Sequence, residues 1–418
     1  MAYRHGVYAQ EQGTSIVPPV RVDSSLPVVV GTAPVHMLDS KAMRDSINKP
    51  HLLFSQSEIV KTFGSLPDGA KVGDYTLSEF ANIYMGRYLA CPVVFINVFD
   101  PEKHKNDKGE PDVTKVSPDD IIGGIDSVTG GRTGLELVEE VFPRFGITPG
   151  QLVAPKFSGD PAVALILGAK TVNINGHFNC VGIVDVPESV RHFTEVSAWV
   201  NDNNLVDRNL IFFFGQPTYG NVPESGSSHV AGVMAQRDME NEGIPYWSPS
   251  NKRLLANGIV HGGNELHLTP VEAAYLNGQG IMVGLSWVGG LVAWGNRTGA
   301  YPGATDVKDT FIPLRRMFHF ISNTLVLTAW QFLDGPLRRR HITTICDSFN
   351  IWLNGLSARE FILGGRVEFL NADNAATDLM DGISRFRVYI APPSPNREMI
   401  FDLEYDPAYL SRLFGLQE

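Results

Sequence analysis

The chain has 418 residues, 43% of them hydrophobic and 19% charged, so it carries ample side chain for packed cores and is not globally disordered. That length exceeds one ordinary core and suits two or three domains. Lys and Arg total 34 against 45 Asp and Glu, and the net charge of −11 argues against a nucleic-acid backbone as a direct partner.

Residues 1–25 read as an extended arm, because Pro18-Pro19 blocks a helix and the apolar residues are too scattered to make a core. Leu26–Ala33 (LPVVVGTA) predicts a strand buried on both faces. Ser57–Phe63 and Thr76–Leu89 have helical spacing, the second opened by Thr76 and Ser78 with Glu79 behind them. Pro92–Phe99 (PVVFINVF) predicts a second two-sided strand, and the Lys-, Asp- and Pro-rich run from Asp100 to Asp120 an exposed loop. Beyond it the pattern predicts a helix over 132–145, a strand near 151–154 and a helix at 160–171. A strand at 178–185, a helix at 189–203 and a strand at 209–214 follow. Such alternation predicts a largely parallel sheet with covering helices.

Ala273 to Asn296 contains no charged residue, yet its six glycines and its Asn277, Gln279, Ser286 and Asn296 suit no lipid-facing helix. Two buried strands turning at Gly289-Gly290 are predicted instead, and no membrane insertion. The last third changes character. Pro313–Leu333 and His341–Leu356 read as long amphipathic helices, followed by strands near 362–370, 385–391 and 398–405, which is the order of an α+β unit. The predicted layout is an N-terminal extended arm (1–25), an α/β domain with room for an inserted subdomain (26–305), a C-terminal α+β domain (306–406) and a C-terminal arm (407–418).

The closing strands alternate cleanly. Phe386, Val388 and Ile390 share one face and Arg385, Arg387 and Tyr389 the other; Met399, Phe401, Leu403 and Tyr405 oppose Glu398, Ile400, Asp402 and Glu404. A hairpin across Pro392–Asn396 would set Arg387 against Asp402, Arg385 against Glu404 and Val388 against Phe401, and the short loop favours it. The rival is that 398–405 is donated to another subunit.

Candidate chemistry is thin. Gly278-Gln-Gly280 with Gly284 is not a dinucleotide fingerprint, and Gly130–Gly134 lacks the ending of a P-loop. His261 and His267 lie six apart, unlike a helical zinc pair. Gly226-Ser227-Ser228 and Leu285-Ser286-Trp287 lack the flanks of a nucleophile elbow. Cys91, Cys180 and Cys346 stand far apart without a CxxC pair and read as buried small hydrophobes in a reduced compartment. No catalytic residue, cofactor or metal site is predicted; the rival reading is a hydrolase or other enzyme on a doubly wound α/β domain.

Several stretches resemble a known family. HGVYAQEQGTSIVPPV at the start, SHVAGVMAQRDMENEGIPYWSPSN, LNGQGIMV, AWGNRT, PLRRMFHFI and RFRVYIAPPSPNREMIFDLEYD occur in order from residue 5 to residue 406. Together they resemble the contractile tail sheath proteins of myophages and phage-tail-like particles; Tyr246-Trp247-Ser248-Pro249 departs from the commoner lysine-alanine-proline run. The resemblance implies a structural subunit that forms hexameric rings stacked into a helical sheath around a tail tube. Contraction then drives the tube through a cell envelope. It also implies contacts with baseplate and tail terminator proteins, assembly in the host bacterial cytoplasm and a place in the virion tail. Strand exchange would involve Gly6, Val7 and Tyr8 of the arm, and Val388, Tyr389, Phe401 and Leu403 near the other end. The basic run Arg338, Arg339 and Arg340 would lie near the tube.

Overall fold

The computed structural model describes residues 18–20 and 22–414. Gly6, Val7 and Tyr8 lie outside the described residues. A nine-stranded mixed sheet forms the centre. Its first strands are β1 (Pro27–Gly31), β2 (Pro50–Leu53), β3 (Val93–Asn97), β4 (Gln151–Val153), β5 (Val181–Asp185) and β6 (Leu210–Phe214). After β7 (Gln216–Tyr219) and β8 (Val222–Pro223) come β9 (Lys252–Arg253), β10 (Gly258–His261), β11 (Asn264–Glu265), β12 (Ile281–Trp287) and β13 (Gly290–Trp294). The spatial order is β2-β3-β1-β4-β5-β6-β12-β13-β9. The six strands from β3 to β12 run parallel, and β2, β13 and β9 are antiparallel additions at the edges. The central strands are apolar on both faces because both are covered: every residue of β1, β3 and β6 is buried.

The helices Gln56–Phe63, Thr76–Ala81 continuing as a π-turn to Arg87, Pro161–Ala169 and Val196–Asp202 fall where the spacing predicts them. Ser55, Asp160 and Thr269 cap the helices that follow them through side-chain oxygens. The predicted 132–145 helix is a 3-10 segment, Gly134–Glu140, followed by one α-turn, Val141–Phe145.

Four expectations are corrected. The charge-free stretch begins with a helix, Pro270–Asn277, and its two strands turn at Val288-Gly289, since Trp287 pairs with Gly290. Residues 22–25 are not a free arm. Val22 is buried in the second core, the Ser24 carbonyl accepts from Arg316 and the Ser25 carbonyl from the Tyr84 hydroxyl. Cys91 is exposed, while Cys180 is buried and Cys346 partly so. Within 100–120, His104 is buried against the Phe99 ring with Nε2 3.2 Å from Asp120, which accepts from the Ser117 N–H at the start of Pro118–Ile122. A small antiparallel sheet, β11-β10-β7-β8, has no counterpart in the sequence reading.

The chain packs around two cores. One surrounds the large sheet and ends at Ile312; the other gathers Met317, Phe320, Ile321, Phe349, Leu353 and Leu356. The helix Ile312–Ala329 enters both, and the helix Arg339–Ala358 completes the second with β14 (Gly364–Glu368) and β15 (Arg387–Ala391). No described helix is long and apolar enough to cross a membrane.

The helix Gly226–Glu240 crosses the sheet with Gly232 pressed on the Tyr88 ring, where a Cβ would overlap the ring. That ring cannot retreat, because its hydroxyl is held 3.1 Å from both the Leu255 N–H and His229 Nδ1. Alanine is intrinsically better than glycine in a helix by about 1 kcal/mol. Overpacking wins here: Gly232→Ala is expected to lower unfolding stability by roughly 1–3 kcal/mol in urea titrations. A neutral or stabilising result would show that the ring is not pinned.

Candidate assembly surfaces and a buried carboxylate cluster

β14 and β15 form a two-stranded antiparallel ribbon in which Gly364 faces Ala391 and Glu368 faces Arg387. Val388 and Ile390, with Phe386 just before them, turn toward the second core. Tyr389 stands on the other face under the Arg366 guanidinium at 4.1 Å. Among the described residues, neither outer edge of the ribbon is paired with another strand.

The predicted hairpin does not form. Residues 398–405 are not paired with 385–391; β15 takes β14 as its partner and the chain beyond Ala391 runs on. The reason is local. Pro392, Pro393 and Pro395 hold the backbone extended, and no glycine between 392 and 397 supplies the positive φ of a tight turn. The segment 398–405 therefore stands in solvent, with Phe401 80% and Leu403 96% exposed. From 392 to 405 the backbone makes no hydrogen bond to another described residue. A row of exposed apolar side chains on an unbonded, strand-competent backbone is a surface that needs a partner.

Arg338 precedes the helix Arg339–Ala358 without a side-chain cap bond, and Arg339 and Arg340 occupy its first turn. All three are exposed, beside exposed Trp330, Leu333 and Leu337. Three cations at the positive end of a helix dipole are held against the favourable direction.

The family-like motifs meet in space. Ser248, Ser250 and Asn251, Asn277-Gly278, Trp294–Arg297 and Pro393–Asn396 line one groove of about 790 Å3. Asn277 locks its floor. Its amide donates to the carbonyls of Trp294 (3.0 Å) and Ile281 (2.8 Å) and accepts from Trp294 Nε1 (3.0 Å). Gly295, at φ +137°, sits where a Cβ would lie 2.6 Å from the end of the Asn277 amide. Arg297 lies between the Phe311 ring (3.7 Å) and the Tyr301 ring (4.2 Å). Thr298 is buried with its hydroxyl donated to the Asp309 carbonyl. Each residue of WGNRT thus has a side-chain or backbone task where β13 leads to the helix at Ile312, Asn296 through its carbonyl, which accepts from the Ile312 N–H.

The enzyme alternative has one place to reside. At the carboxyl ends of the parallel strands, Glu79 Oε1 accepts from the Ser225 N–H (2.8 Å) and hydroxyl (3.0 Å), and Lys156 Nζ reaches Glu79 Oε2 at 2.6 Å. Asp185 accepts from the Ser227 N–H (2.6 Å) and hydroxyl (2.5 Å). Glu79 is 1% and Ser225 3% exposed, while Asp185 is half-buried and Lys156 reaches in from the surface. The cluster's hydroxyls tie the start of the helix Gly226–Glu240 to the sheet. His229 bonds Glu224 and Tyr88 instead. His261 is buried against Phe214 and His267 is exposed on Glu265, so the two histidines do not converge. Ser286 is exposed near a strand end, Gly280 lies in a helix-to-strand link and Gly130 in a surface turn. Among the described residues there is no metal-competent cluster. Sequence reasoning missed the Glu79–Asp185 cluster, in which Glu79 and Ser225 lie 146 positions apart; the serine run at 225–228 was the signal available.

Enclosure pushes the Asp185 carboxyl up to about 6, against the hydrogen bonds from Ser227 that favour its charge. A carboxylate raised above its unfolded value of about 3.9 costs nothing below that pH and its full penalty above the folded value. Its contribution should therefore fall by roughly 2–3 kcal/mol as pH rises from about 4 to about 6. Asp185→Asn should match the parent near pH 4 and gain on it up to pH 6 and beyond, in urea midpoints taken across that range. A pH-independent difference would refute the enclosed carboxylate.

No family model matches the chain. The tail sheath protein of Burkholderia phage BcepMu is 27% identical over 317 residues, 73% of this chain and 65% of that protein's length. A protein of Pseudomonas aeruginosa (strain UCBPP-PA14), described as a prophage major tail sheath protein, is 23% identical over 308 residues, 71% of this chain and 75% of the relative. Among solved structures, the anti-feeding prophage helical sheath in its contracted state matches with a TM-score of 0.66 at 16% identity, over 97% of this chain and 100% of that one. The sheath complex of an extracellular contractile injection system, PVC, in its contracted state matches with a TM-score of 0.67 at 14% identity, over 98% and 99%. The fold is that of contractile sheath subunits, and the sequence is related to tail sheath proteins. All four are named for sheaths and none for an enzyme.

Proposed function

We propose that this relative of the tail sheath proteins is a structural subunit of a contractile sheath: it polymerises around a tail tube and contracts to drive the tube through a cell envelope. The observation that carries the reading is the pairing of an unsatisfied donor with an unsatisfied acceptor on one chain. Residues 398–405 offer an alternating, unbonded strand, and the β15 side of the β14–β15 ribbon offers an open edge, whereas on the β14 side the Asn350 amide already bonds the Val367 N–H and carbonyl. A backbone ladder joins two such surfaces between subunits, and side-chain alternation sets the register. On this reading residues 26–305 form the body, 306–406 carry the acceptor ribbon with Val388 and Tyr389, and Phe401 and Leu403 belong to the donated strand. Gly6, Val7 and Tyr8 supply a second donor. Rings of six stacked helically, a tube protein, a baseplate and a terminator complete the particle.

The experiment is negative-stain microscopy of the purified chain. Wide hollow cylinders are expected; discrete small particles at every concentration and salt would overturn the reading. The exposed basic run gives a finer outcome. Reversing Arg338, Arg339 and Arg340 to Glu should weaken co-assembly with the tube protein and leave sheath self-assembly intact. Tube binding that survives the reversal would mean the run is only solvated.

A further inference from the structure

The groove shared by the four motifs is not used by the strand exchange just described. Four aromatic residues line it, Tyr246, Trp247, Trp294 and Tyr301, with Lys252 Nζ 5.1 Å from the Trp247 ring and Arg297 over the Tyr301 ring. The proline segment that follows β15 lines the groove as well. Pro393 and Pro395 are half-buried while Ser394 and Asn396 are exposed, so the two prolines turn inward and the residues beside them turn out. The segment makes no backbone hydrogen bond to other described residues, and the groove beneath it keeps its 790 Å3. An extended proline run is already ordered, carries no internal hydrogen bonds and seats on aromatic grooves at little entropic cost.

We propose that the aromatic groove is a cradle for Pro392–Asn396, and that this segment is a strap with two positions. In one it lines the mouth, as here; in the other its prolines seat on Trp247 and its neighbours. The floor is rigid, because Asn277 is locked on Trp294, so the strap moves and the cradle does not. Seating the strap fixes the direction in which 398–405 leaves the body. The strap's part in arm presentation rests on the sheath reading; the docking itself does not.

Charge opposes closure. Arg397, at the strap's end, acts electrostatically on Arg297 in the groove wall. Glu398 lies 2.9 Å from the Arg397 guanidinium and offsets part of that repulsion. Salt, or loss of the Arg397 charge, should favour the seated position.

The test is a spin label on Ser394→Cys, with Cys91→Ser and Cys346→Ser removing the accessible native thiols, read by electron paramagnetic resonance on dilute, full-length chain. Two components are expected, one mobile and one immobilised. Trp247→Ala, and separately Pro393→Ala with Pro395→Ala, should shift their ratio toward the mobile one by about 2–10-fold, the loss of an aromatic contact. Arg397→Gln or added salt should shift it the other way. Thermal unfolding unchanged from the parent shows that Trp247→Ala still folds. A single mobile component in the parent, or a ratio that Trp247→Ala leaves unmoved, overturns the proposal. Because the protein is dilute and unassembled, the ratio answers for the strap whether or not cylinders form at high concentration.

Discussion

Truncation after Arg397 is expected to abolish cylinder formation while leaving the subunit folded, with a urea midpoint unchanged from the full chain. Residues 398–405 are exposed and their backbone is unbonded to the described structure, so their removal takes no packed surface from either core. On the reading proposed above, what it takes is the donor strand, along with residues 406–418. Sedimentation should show the truncated chain as a single slow species under conditions in which the full chain forms large polymers. Polymers from the truncated chain would mean that 398–405 carries no intersubunit ladder. A second measurement separates exchange from a transient hairpin. A chain with Val388→Cys and Phe401→Cys should form no intrachain disulfide between them when dilute, since β15 is already paired with β14.

The second large effect concerns the joint between the two cores. Arg316 donates through one guanidinium nitrogen to Asp238 Oδ1 at 3.0 Å. Through the other it bonds Asp238 Oδ2 and, at 3.1 Å, the Ser24 carbonyl. Its partner's side chain is fully buried, and burial holds the Asp238 carboxyl above its ordinary value despite the cation. Arg316→Ala leaves that carboxylate enclosed without a counter-charge and should destabilise the protein by roughly 3–5 kcal/mol. Replacing both members with apolar side chains of similar volume should recover most of the loss, because the desolvation cost of both charges disappears together. A single mutant within 1 kcal/mol of the parent, on the scale of an exposed pair, would show that water reaches Asp238.

Arg316 also marks how legible the chain is. The helix around it reads from sequence because Leu314, Met317, Phe320 and Ile321 recur at helical spacing. Its partner does not, because Asp238 lies 78 positions away and nothing local distinguishes it from other acidic residues. β1, β3 and β6 were readable as two-sided apolar runs. The small sheet of β7, β8, β10 and β11 was not: its strands have two to four residues, and it starts after Gly215 at φ +96°, a turn that periodicity cannot see. The failed hairpin is the most informative error. Alternation fixes which face a residue takes but not which strand lies beside it. Arg387 was matched to Asp402 and is found opposite Glu368; Val388 was matched to Phe401 and is found opposite Val367. Both arrangements satisfy charge and apolarity, so chemistry alone could not choose, and the proline run decided against the turn. Val22 shows the converse: one apolar residue in an extended segment was enough to reach the second core.

The proline run has a mechanical consequence. With 398–405 held by a neighbour, the free length between β15 and the docked strand is the six residues from 392 to 397. Fully stretched, they span about 20 Å. Extended prolines keep such a tether near its full length rather than coiled. Neighbouring subunits so joined can rotate about each other but cannot separate at that point by more than the tether allows. It is a leash with little slack, and its length, more than the strength of any ladder, sets the largest displacement a linked pair can make without letting go.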